Sequence, residues 1–495
     1  MGIIIRQSIK GTAATYVGAF IGFLTTMFIQ TEYLSSEDIG LIRVILDIAG
    51  MFSTLSLLGI LSSAIRFFPY FKNKENNNNG FFFYLVLLPM IGCILFTTLY
   101  ILLKTPISNF FIEKSSLLID YYYWVIPLIV FTAYLLVFET YASVNMRISV
   151  VRFNREIWIR ILTIIVFLLY GYYLINRTGL VVGVITVYGI AVITLFLYLS
   201  KITTVSLKHN KSHIDKPLRN NIIKYSSFMM IGGLSSFIIS KVDIFMITAK
   251  LGLAEAGIYA IATYIGSVIE IPSRSISTIS APVAAEALKN NNWEEANRLY
   301  QKVSLNQLLI GGMIFIFIWV NIDNIFAVMP NGKIYAEGKW VVFFIGLSRM
   351  ITVTFNFGLN LITFSKYYHW TLYFTFFTAG IGILANYLLI PILGMQGAAI
   401  AAVITCALGY GFQQWVIVKK IKGNPYTRNM LKLIVIMIVL LAVNYFITNF
   451  ADPILDSLIR TFILGVIACP LIYFLNVSEE LNNTVKAILK RIIKF

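Results

Sequence analysis

The stretch that decides the fold is LSSEDIGLIRVILDIAGMFSTLSLLGILSSAIRFFPYFKN, residues Leu34–Asn73. After an acidic turn it continues through more than the ~20 apolar residues that a helix needs to cross the ~30 Å hydrocarbon core of a bilayer. Arg43 and Asp47 lie inside this apolar run and share one helix face, because they are one helical turn apart. Charges within a bilayer are costly and usually face a protein interior or a watery cavity. We therefore predict a membrane span at residues 39–65 with one charged face.

A second copy of this pattern lies in the later half of the chain. Under one constant shift in numbering, Leu34 corresponds to Leu251 and Gly40 corresponds to Gly257. The hydropathy profile repeats together with these identities. We interpret the chain as two halves built on one scaffold.

The composition indicates a membrane protein that crosses the bilayer many times. Of the 495 residues 58% are hydrophobic and only 12% are charged, whereas about 25% of the residues in soluble domains are charged. The net charge is +17, but the positive residues lie between apolar spans, which favours the positive-inside rule over nucleic-acid binding. We expect no nucleic-acid partner.

We predict an all-α integral membrane fold of about 14 transmembrane helices. The predicted spans are residues 11–33, 39–65, 81–103, 121–145, 156–175, 179–200, 223–249, 256–281, 303–328, 339–364, 370–390, 396–418, 430–450 and 457–476. If both termini are cytoplasmic, most of the 39 lysines and arginines fall on the cytoplasmic side.

The predicted domain organisation consists of two six-helix lobes and two extra C-terminal helices. Its parts are an N-lobe at 1–200 with helices 1–6, a basic cytoplasmic linker at 201–222, a C-lobe at 223–418 with helices 7–12, helices 13 and 14 within 419–477, and an amphipathic cytoplasmic tail at 478–495. Because six is even, both lobes begin on the same side, as in repeats related by an axis along the membrane normal.

The sequence contains no phosphate-binding loop, no His-Glu-x-x-His motif and no Gly-x-Ser-x-Gly motif, so no common catalytic motif of these kinds is present. The three histidines have no accompanying cluster of acids or cysteines. We expect no enzymatic activity, no cofactor and no metal site.

The candidate functional residues are ionisable residues within or beside the spans. The candidate substrate-binding cations are Arg349, Arg43, Arg274, Lys241 and Arg66, and the candidate ion-coupling acids are Asp47, Asp243, Glu270 and Glu139. Arginine suits phosphate because its planar guanidinium stays charged and binds oxyanions with two parallel hydrogen bonds.

Self-neutralisation within single helices is the alternative interpretation of these charges. Arg43 can pair with Asp47, and Arg274 can pair with Glu270, each within one helix. Arg349 has no acid within helical reach, so it needs either a partner on another helix or an anionic ligand. Sequence alone leaves the functional and the self-neutralising interpretations open.

Several short motifs carry a resemblance to a known family. They are Lys10-Gly11 at the start of helix 1, Glu37–Gly40 before helix 2, Arg66–Phe71 at its end, and Pro391–Ala399 between helices 11 and 12. In these motifs and in its helix arrangement the chain resembles the multidrug/oligosaccharidyl-lipid/polysaccharide (MOP) exporter superfamily. More narrowly, it is similar to polysaccharide flippases of the Wzx type.

The resemblance implies two lobes around a cationic cavity, with alternating access. The implied substrate is an undecaprenyl-pyrophosphate-linked oligosaccharide, turned from the cytoplasmic to the periplasmic leaflet of a bacterial inner membrane for surface polysaccharides such as the O-antigen of lipopolysaccharide. Membrane lipid, H⁺ or Na⁺, a polysaccharide polymerase and a chain-length regulator are the implied partners. The alternatives are an ion-coupled antiporter for drugs or small molecules with the same fold, and a flippase for a peptidoglycan lipid precursor.

Overall fold

The computed structural model of the protein describes residues 2–73, 77–202, 216–290, 292–478 and 482. Its regular structure is helical, and no β-strand occurs in these ranges. Most of the predicted linker and of the predicted amphipathic tail lies outside the described residues. The chain forms two compact units, Met1–Ala260 and Ile261–Phe495.

Among its described residues, the first unit contains twelve complete α-helices and the start of a thirteenth. They are α1 Gly2–Leu24, α2 Gln30–Tyr33, α3 Ser36–Ser56, α4 Ile60–Phe71, α5 Phe81–Leu102, α6 Lys104–Phe111, α7 Ser116–Asp120, α8 Val125–Val144, α9 Ile148–Phe153, α10 Ile159–Gly171, α11 Arg177–Ile202, α12 Lys216–Lys250 and α13 Leu253–Ser267. A π-helix, Thr25–Ile29, joins α1 to α2, and another, Asn154–Trp158, joins α9 to α10.

The described part of the second unit contains the end of α13 and nine further α-helices. They are α14 Ile271–Lys289, α15 Trp293–Val320, α16 Ile322–Val328, α17 Gly332–Tyr335, α18 Lys339–Phe355, α19 Phe357–Phe364, α20 Trp370–Val416, α21 Arg428–Phe446 and α22 Pro453–Phe474. Within the described ranges, 12 helical segments are long and apolar enough to cross a membrane. The predicted all-helical membrane fold is confirmed to that extent.

The longest of these segments is interrupted at a glycine. Gly394 lies within α20 and has a φ of 60° and a ψ of −139°, which are not helical values. This break separates the residues of the predicted spans 370–390 and 396–418. The predicted span 156–175 falls mostly within the continuous helical segment formed by α9, its π-helix and α10.

The opening stretch forms two helices rather than the predicted continuous span at 39–65. Leu58 and Gly59 have positive φ values of 51° and 71° and end the regular helix between α3 and α4. A Cβ added to Gly59 would lie 2.0 Å from the carbonyl oxygen of Ser226 in α12. The interruption thus brings the backbones of α4 and α12 together, and the Oγ atoms of Ser63 and Ser226 lie 2.6 Å apart.

The acidic turn that opens this stretch begins α3 and fixes it to α11. The Ser35 hydroxyl accepts a hydrogen bond from the backbone N–H of Asp38 at 3.1 Å, which caps the helix. The carboxylate of Asp38 is buried and lies 2.7 Å from Nε of Arg177. The hydroxyl of Tyr170 also donates to it, at 3.0 Å. The Glu37–Gly40 motif therefore has a structural role in the first unit.

The crossing of α3 and α13 depends on two glycines that correspond in the repeat. A Cβ added to Gly40 would lie 1.9 Å from the carbonyl oxygen of Leu253, and a Cβ added to Gly257 would lie 1.9 Å from that of Ser36. The constant shift that relates Gly40 to Gly257 also relates Ser36 to Leu253. Equivalent residues of the repeat therefore contact each other in the same way from both sides.

Candidate functional site

Asp47 lies at the centre of a charged cluster in the first unit. Its Oδ2 is 3.1 Å from Nε of Arg43, and its Oδ1 is 2.8 Å from Nζ of Lys241 in α12. The side chain of Asp47 is 9% exposed, that of Lys241 is 21% exposed and that of Arg43 is 45% exposed. The predicted pairing within α3 is present, and the same carboxylate also contacts Lys241.

The guanidinium of Arg43 has hydrogen-bonding capacity beyond its contact with Asp47. Among the hydrogen bonds of the described residues, only Nε of Arg43 is engaged. An arginine has five N–H donors arranged in a planar fork. The remaining donors, on a half-exposed side chain, can bind a phosphate or another oxyanion while Asp47 holds the arginine in position.

The register of α3 against α12 brings Lys241 to Asp47. A Cβ added to Gly50 would lie 3.1 Å from the ring of Phe237, so α12 packs closely against α3 at this point. The two helices run antiparallel, so the residue one turn before Gly50 in α3 lies beside the residue one turn after Phe237 in α12. These residues are Asp47 and Lys241. The same register carries on to the Ser63–Ser226 contact. If the contact between Gly50 and Phe237 had been known, the ion pair between Asp47 and Lys241 could have been predicted from it.

Asp243 is held by a tyrosine that the sequence analysis did not include. The hydroxyl of Tyr259 in α13 donates to Oδ2 of Asp243 at 2.6 Å, and the backbone N–H of Ile244 donates to Oδ1 at 2.8 Å. Tyr259 is buried. A phenol hydroxyl in an apolar helix needs a hydrogen-bonding partner when it is buried, and that requirement is the signal that could have identified it.

Glu139 forms an ion pair with Arg155, a residue that the sequence analysis did not name as a candidate. Nε of Arg155 lies 3.0 Å from Oε1 of Glu139, and Nη2 contacts Oε2. Glu139 is 8% exposed at its side chain and Arg155 is 45% exposed. The connection between α8 and α9 is short, so residues at similar distances before and after it lie close together. Glu139 and Arg155 are such residues, and this relation could have predicted the pair.

In the second unit, Glu270 engages Arg349 of α18. Their Oε1 and Nη1 atoms lie 2.8 Å apart, with side-chain exposures of 21% and 35%. Glu270 ends a short 3₁₀-helix, Val268–Glu270, which separates α13 from α14, so the predicted span 256–281 is interrupted just before Pro272. The partner on another helix that Arg349 was expected to need is therefore Glu270, while Arg274 is exposed on α14.

Arg66 belongs to the first unit but lies away from the Asp47 cluster. Its guanidinium carbon is 4.5 Å from the ring centroid of Tyr225 in α12. At ~1.5 Å per residue, Tyr225 and Lys241 are roughly 24 Å apart along that helix. The structure thus groups Arg43, Asp47 and Lys241, and it does not add Arg66 to them.

A buried ion pair in α22 was also missed. Asp456 and Arg460 are one helical turn apart, and their side chains are only 4% and 6% exposed. Asn324 donates to Asp456, and Arg460 donates to Asn444 at 2.9 Å. Arg43 and Asp47 have the same spacing of four residues, so the same criterion could have identified Asp456 and Arg460. The sequence analysis did not name either residue as a candidate.

The charged clusters consist of arginine, lysine, tyrosine and carboxylate side chains. Within the ranges that the structure describes, no group of three or more His, Cys, Asp or Glu side chains is placed to hold a metal ion. The three cysteines Cys93, Cys406 and Cys469 are free thiols.

This chain matches a known protein family, a related membrane protein and solved structures of transporters. Residues 5–288 match the family described as polysaccharide biosynthesis protein. An uncharacterized membrane protein of Methanocaldococcus jannaschii is 22% identical over 97% of this chain and 99% of its own length. Among solved structures, an inward closed conformation of the lipid II flippase MurJ is 12% identical and has a TM-score of 0.73, covering 95% of this chain and 100% of that one.

A second solved structure shares the fold. An inward-facing multidrug resistance MATE family transporter of the MOP superfamily is 12% identical and has a TM-score of 0.61, covering 83% of this chain and 95% of that one. The predicted resemblance to the MOP superfamily is confirmed by the family match and by the fold.

Proposed function

Because the chain belongs to the polysaccharide biosynthesis protein family, we propose that it is a flippase for a lipid-linked oligosaccharide. The proposed substrate is an undecaprenyl-pyrophosphate-linked oligosaccharide, moved from the cytoplasmic to the outer leaflet of a bacterial inner membrane by alternating access. The product would serve the synthesis of a surface polysaccharide such as O-antigen. A polymerase and a chain-length regulator are the proposed protein partners.

The proposed topology has fourteen crossings with both termini in the cytoplasm. Two observations support it beyond the 12 segments that are long and apolar enough. The break at Gly394 divides a segment of 52 residues, Trp370–Ile421, which at ~1.5 Å per residue is more than twice the thickness of a ~30 Å hydrocarbon core. In the proposed topology, the helical segment from α9 to α10 is one further crossing.

The observation that carries the proposal is the Asp47 cluster. Arginine and lysine side chains inside a membrane protein normally mark a path for a polar or anionic group. Here Asp47 holds Arg43 and Lys241 at 3.1 and 2.8 Å, and two cations at one place suit the oxygens of a pyrophosphate. The half-exposed guanidinium of Arg43 can bind the pyrophosphate without losing its contact with Asp47.

The Arg349–Glu270 pair supports a second binding step with ion coupling. A proton or Na⁺ on Glu270 would weaken its hold on Arg349 and release the guanidinium for the substrate. Arg274 lies one turn further along the chain and is a candidate for the same anion. Asp47, Asp243 and Glu139 are the other proposed coupling acids, although Glu139 is already engaged by Arg155.

Deletion of the gene tests the proposed function directly. In a strain without a redundant flippase, we expect the lipid-linked oligosaccharide to accumulate in the cytoplasmic leaflet and the surface polysaccharide to disappear. Complementation with the wild-type chain should restore both. Normal surface polysaccharide in the deletion strain would contradict the proposal.

A second candidate is transport of a peptidoglycan lipid precursor, because the solved lipid II flippase shares the fold over nearly the whole chain. The same deletion separates the two substrates. Loss of surface polysaccharide with intact cell-wall synthesis supports the first candidate, and cell lysis with accumulation of the peptidoglycan precursor supports the second.

A further inference from the structure

The break between α3 and α4 leaves an apolar cavity in the first unit. It has a volume of about 540 Å³ and is lined by α4, α5 and the start of α12. Its walls include Ala64, Phe67, Leu85 and Ile222, and the first three of these are buried. Pockets of ~300–1,000 Å³ with apolar walls and few polar groups are typical of ligand sites.

One cation gives the cavity a polar end. Arg219, in the first turn of α12, is the single charged side chain among the described residues that line it. Arg219 is exposed and makes no ion pair within the described part of the chain. Arg66, next to the lining residue Phe67, places a second guanidinium over the ring of Tyr225. The apolar interior and the cationic end together fit an amphiphile with an anionic head.

The volume is large enough for a single hydrocarbon chain. If a methylene occupies about as much space as a water molecule in the liquid, ~30 Å³, the cavity accommodates about 18 such groups. A phospholipid would have to leave one of its two chains outside. Each buried methylene contributes ~0.8 kcal/mol to the binding of a chain, so a single chain that fills the cavity is favoured.

We propose that this cavity binds the phosphate-proximal part of a polyprenyl chain, with the lipid phosphate bound by Arg219. The inference rests on the proposed function, which supplies a lipid of this class. The proposed site for the polyprenyl chain lies on α4, α5 and α12 and is distinct from the Asp47 cluster. The polyprenyl chain would remain there while the head group binds elsewhere in the protein.

Native mass spectrometry of the purified full-length protein tests this proposal. The probe is a polyprenyl monophosphate without sugars, and the competing lipid is phosphatidylglycerol. We expect preferential retention of the polyprenyl monophosphate. R219Q should weaken retention by about tenfold, since it removes a charge-assisted hydrogen bond. I223W should weaken it by narrowing the cavity, because Ile223 lines the cavity and is 57% exposed.

The matched control is I231W. Ile231 lies two turns further along α12, is 51% exposed and does not line the cavity. This variant should retain the probe as the wild type does. Thermal unfolding of each variant is measured first, and R219Q alters only an exposed side chain, so the test remains decisive if I223W misfolds.

Two results would overturn the proposal. One is equal retention of the polyprenyl monophosphate and phosphatidylglycerol by the wild type, and the other is unchanged retention of the probe by R219Q. Because the probe carries no glycan, the binding result does not depend on export. Failure of the proposed function would instead be seen as normal surface polysaccharide in the deletion strain.

Discussion

Removal of the Asp47 carboxylate tests whether the charged cluster stabilises the first unit. In D47N, Arg43 and Lys241 lose their shared partner. At an effective dielectric constant of ~20, an ion pair at the 2.8 Å separation of Lys241 and Asp47 is worth roughly 6 kcal/mol before the desolvation cost. Measured losses for breaking one side of a buried pair are ~3–5 kcal/mol. Since Arg43 is half-exposed and screened, we expect D47N to lower the free energy of unfolding by about 2–4 kcal/mol.

The control for this prediction is an exposed pair with the same geometry. Asp323 and Lys339 lie 2.7 Å apart, but the side chain of Asp323 is 77% exposed. D323N should therefore cost less than about 1 kcal/mol. Equilibrium unfolding of the purified variants in mixed micelles measures both values. Equal losses in D47N and D323N would refute the argument from burial.

A double-mutant cycle completes the test. K241M removes the ammonium whose burial Asp47 compensates, so D47N/K241M should be less destabilised than the sum of the two single variants. The expected coupling is about 1–3 kcal/mol. Strictly additive losses would show that Asp47 and Lys241 do not stabilise each other.

Three further predictions concern other contacts. R349A should abolish export of the glycan without affecting membrane insertion, and R349K should be partly active because a point charge replaces the guanidinium; full export by R349A in a complementation assay would remove this residue from the site. E139Q should lower the free energy of unfolding by about 1–3 kcal/mol, because Arg155 loses an ionised partner; an unchanged unfolding transition would contradict this. G40A should cost more than about 2 kcal/mol, since the new Cβ meets a backbone carbonyl of α13, whereas the control G232A, with nothing within 4 Å of the added Cβ, should be neutral or stabilising in the same measurement.

The all-helical membrane fold and the approximate positions of most of the long helices could be predicted because apolar length is a local property of the sequence. The breaks could not be predicted as easily. At Leu58 and Gly59 the chain adopts positive φ values because α12 approaches α4 there, and that approach is a long-range contact. The predicted lobe boundary at the 201–222 linker likewise rests on topology and stays a prediction. The compact units divide after Ala260, since α12 packs against α3 and α4.

The charged residues could be identified because ionisable side chains are rare within apolar spans. Only some of their ion-pair partners could be identified in the same way. Pairing within one helix follows from spacing, and this predicted the contact between Arg43 and Asp47 correctly. Partners on other helices depend on register. Sequence therefore identified Lys241 and Asp47 as candidates without joining them, and it left open whether Arg349 needed a protein partner. Their roles in transport stay predictions.

The glycine crossing of α3 and α13 has the form of a contact across a two-fold axis. In a symmetric homodimer, a residue of one copy meets a second residue of its partner, and the reverse contact is identical. Gly40 with Leu253 and Gly257 with Ser36 reproduce that relation within one polypeptide. Duplication and fusion of the gene for a symmetric dimer would produce a crossing of this kind. Both positions then have to remain glycine, because a Cβ at either one would push α3 and α13 apart at the same crossing.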